Sequence, residues 1–417
     1  MSTTDQLGVW QRLMSPECHG LLTQAKSADP YSTADVTALR RRWDKELVHA
    51  ALALIQARGK AGKFGDAGPT LVADPQGVEM ASSRAAASWK AHRFKTAGGT
   101  VLDLCCGVGG DTLAFARAGL EVIAADADPL RAWMAGTNTA RIAPTSRWLC
   151  STIEALHDSP DVPGRALFHI DPSRRVKDGS TSKRVWDLAD VQPPPSVLRS
   201  VVDRWHDGAI KLAPGVDYGA LAAAGLSGEV EIISERGHLT QAVLWNGALS
   251  RGDGVRTATL LRCAAGADAF PHDAIVLSGP ADSAVPVWPG TEPPRYLYEV
   301  DDSVERAELL TVLCDATHTS MLHPRLGLIA SDQPVDHPML IGFDLLESAK
   351  WNEQRAAAVL RRLGAGSVEV KTRAKAVNPD QLQPALTKSA CIKGGVPLVL
   401  FVLRFGSEAR MLVARRH

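Results

Sequence analysis

The chain has 417 residues, of which 45% are hydrophobic and 22% charged, and its formal net charge is zero. This composition is that of a folded protein of about two or three domains and excludes a disordered chain. The seven cysteines form no CxxC pair and have no histidine at ligand spacing, which excludes a zinc finger and a disulfide framework. No apolar run approaches the roughly 18 residues of a membrane span, and the N-terminus lacks a secretory signal. We therefore expect a cytoplasmic protein with reduced thiols, no metal site and no membrane partner.

Helices are predicted in the first part of the chain. Apolar residues recur at helical spacing across 33–58, where Ser32 or Thr33 can cap the helix. After a glycine-rich break at 59–68, residues 77–94 predict another helix. We expect residues 1–95 to form a helical region that precedes the first strand.

From residue 100 onward, apolar strands alternate with amphipathic segments, which predicts a mostly parallel sheet covered on both faces. We assign this domain to residues 96–264. The seven predicted strands are 101–104, 121–125, 147–149, 165–170, 208–212, 229–234 and 241–245. Only a short turn separates the last two strands, so we expect them to form an antiparallel hairpin at the sheet edge.

The last part of the chain is predicted to contain a linker and a smaller α/β domain. Residues 265–340 are rich in Pro, Asp and Gly, which predicts a linker or small connecting domain with one helix at 304–314. The domain expected at 341–417 has predicted helices at 351–363 and 379–386 and predicted strands at 367–371, 397–403 and 409–414.

The tail is basic although the whole chain is neutral. After Glu347, thirteen Lys and Arg residues stand against four acids, which leaves about nine positive charges on this segment. Such an excess attracts phosphates and is typical of nucleic-acid partners. The alternative is a solvated basic face without a partner.

A glycine-rich turn follows the first predicted strand of the sheet. The segment VLDLCCGVGGDTLAFA places Asp103 at the strand end and Gly107, Gly109 and Gly110 in a turn that opens a helix. Glycines let the backbone approach a ligand closely, and the start of a helix offers free amides. The second strand ends in Asp126, whose carboxylate can accept both hydroxyls of a ribose. This pattern predicts a nucleoside-containing cofactor.

A glycine turn followed by an acid fits either a nicotinamide cofactor or S-adenosylmethionine, and the residue at position 112 helps to distinguish them. Dinucleotide-binding proteins have a third glycine where this chain has Thr112. An acid at Asp103 would be repelled by a pyrophosphate, whereas it suits the ammonium and sulfonium of S-adenosylmethionine. S-adenosylmethionine is therefore favoured over a nicotinamide cofactor and over a purely structural turn. Cys105 and Cys106 are interpreted as small buried residues, because no adjacent base would activate a thiol.

The fourth predicted strand ends in the motif Asp171, Pro172, Ser173 and Arg174, where open α/β sheets place their ligands. The Asp171 carboxylate and the Pro172 carbonyl can each accept one N–H of a planar amine, which turns its lone pair toward a methyl donor. Enzymes that methylate such amines usually have an aromatic residue at Arg174, although a guanidinium can also stack on a base or hold a phosphate. An Asp-Pro turn with surface arginines is the structural alternative. Lys211 and residues 214–218 end the fifth strand on the same rim.

On these motifs, residues 75–262 resemble the Rossmann-like class I methyltransferases that use S-adenosylmethionine. The segment DLCCGVGGDTLAFA followed by VIAADADP is similar to the trimethylguanosine synthases. More of the chain resembles a bacterial group of methyltransferases with a THUMP-like C-terminal domain. The matching segments are MASSRAAASWKAHRF, IDPSRR, KLAPGVDY, VEVKTRAKAVNP and PLVLFVLR. The resemblance implies an α/β fold with a Rossmann-like seven-stranded sheet, an N-terminal helical region and a small THUMP-like α/β domain.

The resemblance also implies the functional residues and the partner. The expected donor-binding residues are Asp103, Cys105, Gly107, Gly109, Gly110, Asp126, Ala127 and Thr152. The motif from Asp171 to Arg174 is expected to place the substrate. THUMP domains bind RNA, so the resemblance implies methylation of a nucleobase nitrogen in structured RNA, either ribosomal or transfer RNA. The alternatives are a protein or small-molecule acceptor, and a non-catalytic RNA-binding module with a vestigial donor site.

Overall fold

The computed structural model describes residues 3–173, 175–178, 181–184, 188–282, 284–289, 293–324, 326–373, 375–405 and 407–417. The chain groups into two compact units. The first unit comprises Met1–Val255 and Thr259–Ala274, and the second comprises Arg256–Ala258 and Ile275–His417. The domain boundaries expected from the sequence, at 95/96, 264/265 and 340/341, stay predictions.

The first unit begins with helices packed around a core of leucines, valines and alanines. They are α1 (Thr3–Leu13), α2 (His19–Ala25), α3 (Thr33–Arg40), α4 (Lys45–Lys60) and α5 (Pro75–Met80), with 3-10 helices at Pro16–Cys18 and Ala61–Thr70. The next helix, α6 (Arg84–Ala97), packs in a second core that contains residues of the main sheet. The Ser32 hydroxyl accepts a hydrogen bond from the amide of Asp35 at 3.3 Å and caps α3. The helix predicted at 33–58 is two helices, because Asp44 has an extended ψ of 147° that interrupts the helical geometry.

Next in the first unit, strands alternate with further helices. The strands are β1 (Thr100–Leu104), β2 (Glu121–Asp126), β3 (Arg147–Cys150), β4 (Leu167–Ile170), β5 (Arg175–Asp178), β6 (Thr181–Arg184), β7 (Gly208–Leu212), β8 (Glu229–Glu235) and β9 (His238–Asn246). The next strand, β10 (Arg256–Leu261), is divided between the two units, and β11 (Ala274–Gly279) belongs to the second unit except for its first residue. The helices are α7 (Gly110–Arg117), α8 (Pro129–Thr139), α9 (Ile153–Leu156), α10 (Pro195–Trp205) and α11 (Tyr218–Ala223). All seven predicted strands are present, and the predicted Rossmann-like α/β class is confirmed.

The main sheet has nine strands, in the order β11-β10-β8-β9-β7-β4-β1-β2-β3, whereas β5 and β6 form a separate hairpin. The predicted hairpin of β8 and β9 is antiparallel, and its two turn residues, Arg236 and Gly237, both have positive φ. Its predicted position at the sheet edge is wrong, because β10 and β11 follow β8. The sequence did not reveal β10, since the buried side chains of Thr257 and Thr259 are polar.

Parallel pairing aligns the ends of the central strands. β1 lies between β2 and β4, and Asp103 is opposite Ala124 on one side and His169 on the other. The backbone bonds continue past the strand ends, because the amide of Asp171 donates to the carbonyl of Leu104 at 3.2 Å. The loops that follow β1, β2 and β4 therefore share one edge of the sheet.

The second unit contains a seven-stranded sheet in the order β13-β14-β12-β15-β18-β17-β16. Its elements are β12 (Tyr296–Val300), α12 (Asp302–Arg306), α13 (Leu310–Thr317), β13 (Ser320–Met321), β14 (Leu328–Ser331), β15 (Leu340–Lys350), α14 (Glu353–Arg362), β16 (Ala365–Arg373), α15 (Pro379–Ala390), β17 (Val396–Phe405) and β18 (Glu408–Arg416). The helix predicted at 304–314 is broken at Glu308, whose φ of 59° is incompatible with a helix. Within the described residues, no helix is both long and apolar enough to cross a membrane.

Candidate active site

A cavity of about 720 Å³ opens at the sheet edge where β1, β2 and β4 end. Seven of the eight expected donor-binding residues line it, and these are Asp103, Cys105, Gly107, Gly110, Asp126, Ala127 and Thr152. The structure also places Asp171, Pro172 and Ser173 in this lining, whereas Arg174 lies outside the described residues. The two motifs that the sequence singled out are therefore brought to one cavity, whose volume suits a small-molecule ligand.

The glycine turn between β1 and α7 has a left-handed backbone at Cys105, Gly107 and Gly109, with φ values of 55°, 58° and 83°. A Cβ added to Gly107 would meet no heavy atom within 4 Å, so the space beside this residue is open to a ligand. A Cβ added to Gly109 would lie 3.0 Å from the Cα of Ala135 in α8. Helix packing therefore requires glycine at Gly109, which is absent from the cavity lining.

The thiols beside this turn are protonated at neutral pH. Burial raises the pKa of Cys105 and of Cys106 well above the ordinary value, and the charge of Asp126 raises both further. Neither thiol is thus suited to act as a nucleophile. Cys106 is a small buried side chain as interpreted, whereas Cys105 is only partly buried and lines the cavity.

Asp126 ends β2 with both carboxylate oxygens turned toward backbone amides. Oδ2 accepts from the amide of Gly107 at 3.0 Å, and Oδ1 accepts from the amide of Asp128 at 2.9 Å. Burial raises the pKa of Asp126, and these two hydrogen bonds oppose the shift. Each carboxylate oxygen has a second lone pair, so Asp126 can still accept two hydroxyl groups from the cavity.

Asp103 also lines the cavity, but it is only 1% exposed. Its Oδ1 lies 2.7 Å from Nδ1 of His169, the residue opposite it in β4, and its Oδ2 accepts from the hydroxyl of Thr112. The sequence predicted that Asp103 would face a cationic ligand without indicating these two partners. His169 lies in an apolar strand, where a core histidine and a functional histidine look the same in sequence.

The Asp171 carboxylate is paired with a lysine at the end of β7. Lys211 Nζ lies 2.6 Å from Oδ2 of Asp171, and the two side chains are 5% and 27% exposed. Lys211 also donates to the carbonyl of Met80 at 3.5 Å. Oδ1 of Asp171 accepts no hydrogen bond from the part of the chain that the structure describes, so this oxygen is available to a substrate. Ser173 exchanges two backbone hydrogen bonds with Gln192, which hold the motif against the cavity.

The short helix α5 forms a further wall of the cavity, which the sequence analysis did not identify. Asp74 caps α5 by accepting from the amide of Gly77 at 2.6 Å, and it forms a two-bond ion pair with Arg131 of α8 at 2.8 and 2.9 Å. The sequence Asp74-Pro75 is a typical helix start and could have predicted α5. The ion pair joins residues 57 positions apart, so no local signal reveals it.

Lys63 holds the other end of α5. Its ammonium donates to the carbonyl of Ala81 at 2.5 Å and to that of Glu79 at 3.3 Å. Burial, together with the charge of the nearby Lys211, lowers the pKa of Lys63 to about 8. A cation at this end also interacts favourably with the carbonyl end of the helix.

The cavity lining has more carboxylates than cations, although Asp74, Asp111 and Asp171 form ion pairs with Arg131, Lys90 and Lys211. This lining contains one arginine, Arg131, and eight carboxylate residues, namely Asp74, Glu79, Asp103, Asp111, Asp126, Asp128, Glu154 and Asp171. An acidic cavity attracts a cationic ligand and repels a pyrophosphate. Among the described residues, no group of three or more His, Cys, Asp or Glu side chains could hold a metal ion.

Comparison with known proteins agrees with these features. Residues 341–416 match the family model of the THUMP domain-like proteins. The chain is 30% identical over 360 residues to two Mycobacterium tuberculosis proteins, from strains CDC 1551 / Oshkosh and ATCC 25618 / H37Rv. Both are described as uncharacterized S-adenosylmethionine-dependent methyltransferases, and each match covers 84% of this chain and 90% of the relative. A crystal structure from Porphyromonas gingivalis W83, provisionally named a methyltransferase, has a TM-score of 0.71 at 15% identity and matches 100% of this chain and 99% of its own.

Proposed function

Because the chain belongs to the S-adenosylmethionine-dependent methyltransferases, we propose that it methylates a nucleobase nitrogen of structured RNA, either ribosomal or transfer RNA. The enzyme class and the methyl donor follow from the family. The RNA acceptor is supported by the match of residues 341–416 to the THUMP domain-like family. We also propose that the enzyme acts in the cytoplasm, as the sequence predicts.

The donor site is proposed to lie between the ends of β1 and β2. When bound, S-adenosylmethionine supplies an electrophilic methyl group on a cationic sulfur. Asp126 has free lone pairs for the ribose hydroxyls, and the open space at Gly107 permits close approach to the backbone. Asp103 supplies negative charge beside the glycine turn, and the amides at the start of α7 can hold a carboxylate. The excess of carboxylates in the lining supports a cationic ligand rather than a nicotinamide dinucleotide.

The acceptor site is proposed to lie at Asp171 and Pro172. Oδ1 of Asp171 and the Pro172 carbonyl would each accept one N–H of a planar amine, which leaves the nitrogen lone pair directed at the methyl group. Methyl transfer to this lone pair would form a C–N bond and break the C–S bond of the donor, whose electron pair would stay on sulfur. The nitrogen loses its extra proton toward the Asp171 carboxylate, which Lys211 holds at 2.6 Å. Positioning and proton removal are thus the tasks of this motif.

The charge of the tail, considered in the fold, also supports an RNA partner. Five of the thirteen cations after Glu347 form ion pairs with acids of the second unit, and these are Arg362, Lys371, Arg373, Arg415 and Arg416. The other eight have no ion pair among the described residues, namely Lys350, Arg355, Arg361, Lys375, Lys388, Lys393, Arg404 and Arg410. These eight side chains can therefore bind the phosphates of an RNA without first breaking an ion pair within the protein.

A small-molecule amine is the second candidate acceptor. The eight carboxylate residues around the cavity would also attract a cationic amine. In that case the basic, THUMP-like tail would serve another purpose, and RNA would not accept the methyl group.

The test is methyl transfer from tritiated S-adenosylmethionine to total RNA isolated from a strain that lacks the gene. We expect label in one RNA fraction, and mass analysis of its nucleosides should identify one methylated base that the deletion strain lacks. Label confined to small molecules or protein would refute the RNA acceptor. Donor binding without transfer to any fraction would indicate a vestigial site.

A further inference from the structure

A chain of buried polar groups lies beneath the glycine turn. Lys90 of α6 is 0% exposed, and its Nζ lies 2.7 Å from Oδ1 of Asp111 and 3.2 Å from Nε2 of His169. The other ring nitrogen of His169 lies 2.7 Å from Oδ1 of Asp103, in the cavity lining. Polar groups that are fully buried need hydrogen-bond partners, so this arrangement is strongly specified.

The contacts fix the tautomer of His169. The Lys90 ammonium has no acceptor lone pair and can only donate, so Nε2 of His169 must accept. The ring proton of neutral His169 is therefore on Nδ1, which donates to Asp103. Burial disfavours charge on Asp111, but Lys90 and the other basic side chains nearby together outweigh burial and lower the pKa of Asp111. Burial also lowers the pKa of Lys90, and the charge of Asp111 opposes that shift.

These contacts leave one uncompensated charge. Lys90 forms its ion pair with Asp111, and His169 meets Asp103 as a hydrogen-bond donor, so the Asp103 carboxylate, which is 1% exposed, has no lysine or arginine beside it. Its two oxygens receive one donor each, from His169 and Thr112, and no Lys or Arg of the described residues forms an ion pair with it. A buried carboxylate without a cation is costly, and the cavity is the place from which a cation can arrive.

We propose that His169 and Lys90 are positioning residues, which hold Asp103 as an oriented anion for the ammonium of the donor's amino-acid end. This inference rests on the proposed donor site. Lys90 orients His169, His169 and Thr112 orient Asp103, and Asp103 meets the ammonium. The helix α6, which contributes no residue to the cavity lining, thereby contributes to donor affinity.

The test compares two ligands that differ at the amino-acid end. S-adenosylhomocysteine carries the ammonium, whereas 5′-methylthioadenosine lacks it. In His169→Phe the new ring can pack between Phe94 and Phe115, whose rings lie 6.2 and 5.3 Å from that of His169, but it cannot donate to Asp103. We expect this variant to bind S-adenosylhomocysteine about tenfold or more weakly by calorimetry, while the Kd of 5′-methylthioadenosine changes less than about threefold. His169→Asn keeps an amide donor near the Nδ1 position and should recover most of the loss.

Thr112→Val supplies an independent variant, because it removes the other donor to Asp103 with little change of shape. We expect the same selective loss for S-adenosylhomocysteine, at about three- to tenfold. Equal weakening of both ligands, or no weakening of either, in these variants would overturn the positioning role. Failure of the proposed donor site is distinguishable, because the unaltered protein would then bind neither ligand in this cavity.

Discussion

Replacing Asp171 by Asn separates the chemical role of this residue from its structural role. The substitution preserves the shape of the side chain but removes the counterion of Lys211, which is only 5% exposed. Removing one partner of a fully buried ion pair costs about 3–5 kcal/mol. Because Asp171 is 27% exposed and solvent screens the pair, we expect a smaller loss, about 2 kcal/mol in the free energy of unfolding.

Asp171→Asn should also lower the rate of methyl transfer, by more than its loss of stability would explain. An amide cannot take a proton from the methylated nitrogen, so we expect kcat to fall about 100-fold or more. Affinity for S-adenosylhomocysteine should change less than about threefold, since Asp171 has no part in the proposed donor site. The assays are urea unfolding, calorimetric titration, and methyl transfer to RNA from the deletion strain.

The double variant Asp171→Asn with Lys211→Met is the matched control. It removes both charges, so most of the lost stability should return, because apolar replacement of a buried pair is often neutral. Turnover should stay low. If the single variant methylates RNA at the native rate, or if the double variant recovers turnover together with stability, the catalytic role of Asp171 is refuted.

Three further predictions concern the donor site, α5 and the tail. Asp126→Asn should weaken S-adenosylhomocysteine binding about tenfold or more. In the unaltered protein this affinity should fall as the pH is lowered, because burial raises the pKa of Asp126 and the protonated carboxyl accepts fewer hydrogen bonds. A pH-independent affinity in calorimetry would contradict this prediction. The pKa of Lys63 is about 8 in the fold, below its ordinary value of 10.5, so the unfolded chain binds more protons between these values and stability rises with pH there. From pH 7 to pH 9.5 the unfolding free energy of the native protein should rise by about 2 kcal/mol more than that of Lys63→Met. If urea unfolding gives the same pH dependence for both proteins, this prediction is wrong. Replacing both Lys388 and Lys393 by Gln should reduce the slope of log affinity against log salt concentration for bulk transfer RNA by about two. Arg415→Gln should reduce this slope less, because the Arg415 guanidinium already lies 2.9 Å from Asp344. Equal slopes for all these proteins would reject the tail as an RNA-binding surface.

The sequence predicted those features that have a local pattern. Strand periodicity identified β1, β2 and β4, and the glycine turn together with Asp126 indicated the donor. Neither pattern depends on distant residues, because the backbone at a strand end and the turn after it are specified by neighbouring residues. The same holds for the hairpin of β8 and β9, where Gly237 permits the turn.

Features that depend on distant partners were not predictable. Lys90 in the segment SWKAHRF resembles a surface residue of an amphipathic helix, yet it is buried against Asp111 and His169. Strand β10 was missed for a related reason, because buried Thr259 is polar and hydrogen-bonds to the carboxylate of Glu231. Sequence patterns treat polarity as a sign of exposure, so buried polar residues that find partners in the fold are misread.

The wall that α5 contributes has a consequence for how this protein can be dissected. A shortened protein starting at residue 96, where the sequence suggests that the catalytic domain begins, would retain every strand and the glycine turn. It would lack Asp74 and Gly77, however, and Arg131 would lose the carboxylate that holds it. One side of the proposed donor cavity would then be exposed to solvent, so we expect the smallest fragment that binds the methyl donor tightly to include helices that precede the first strand.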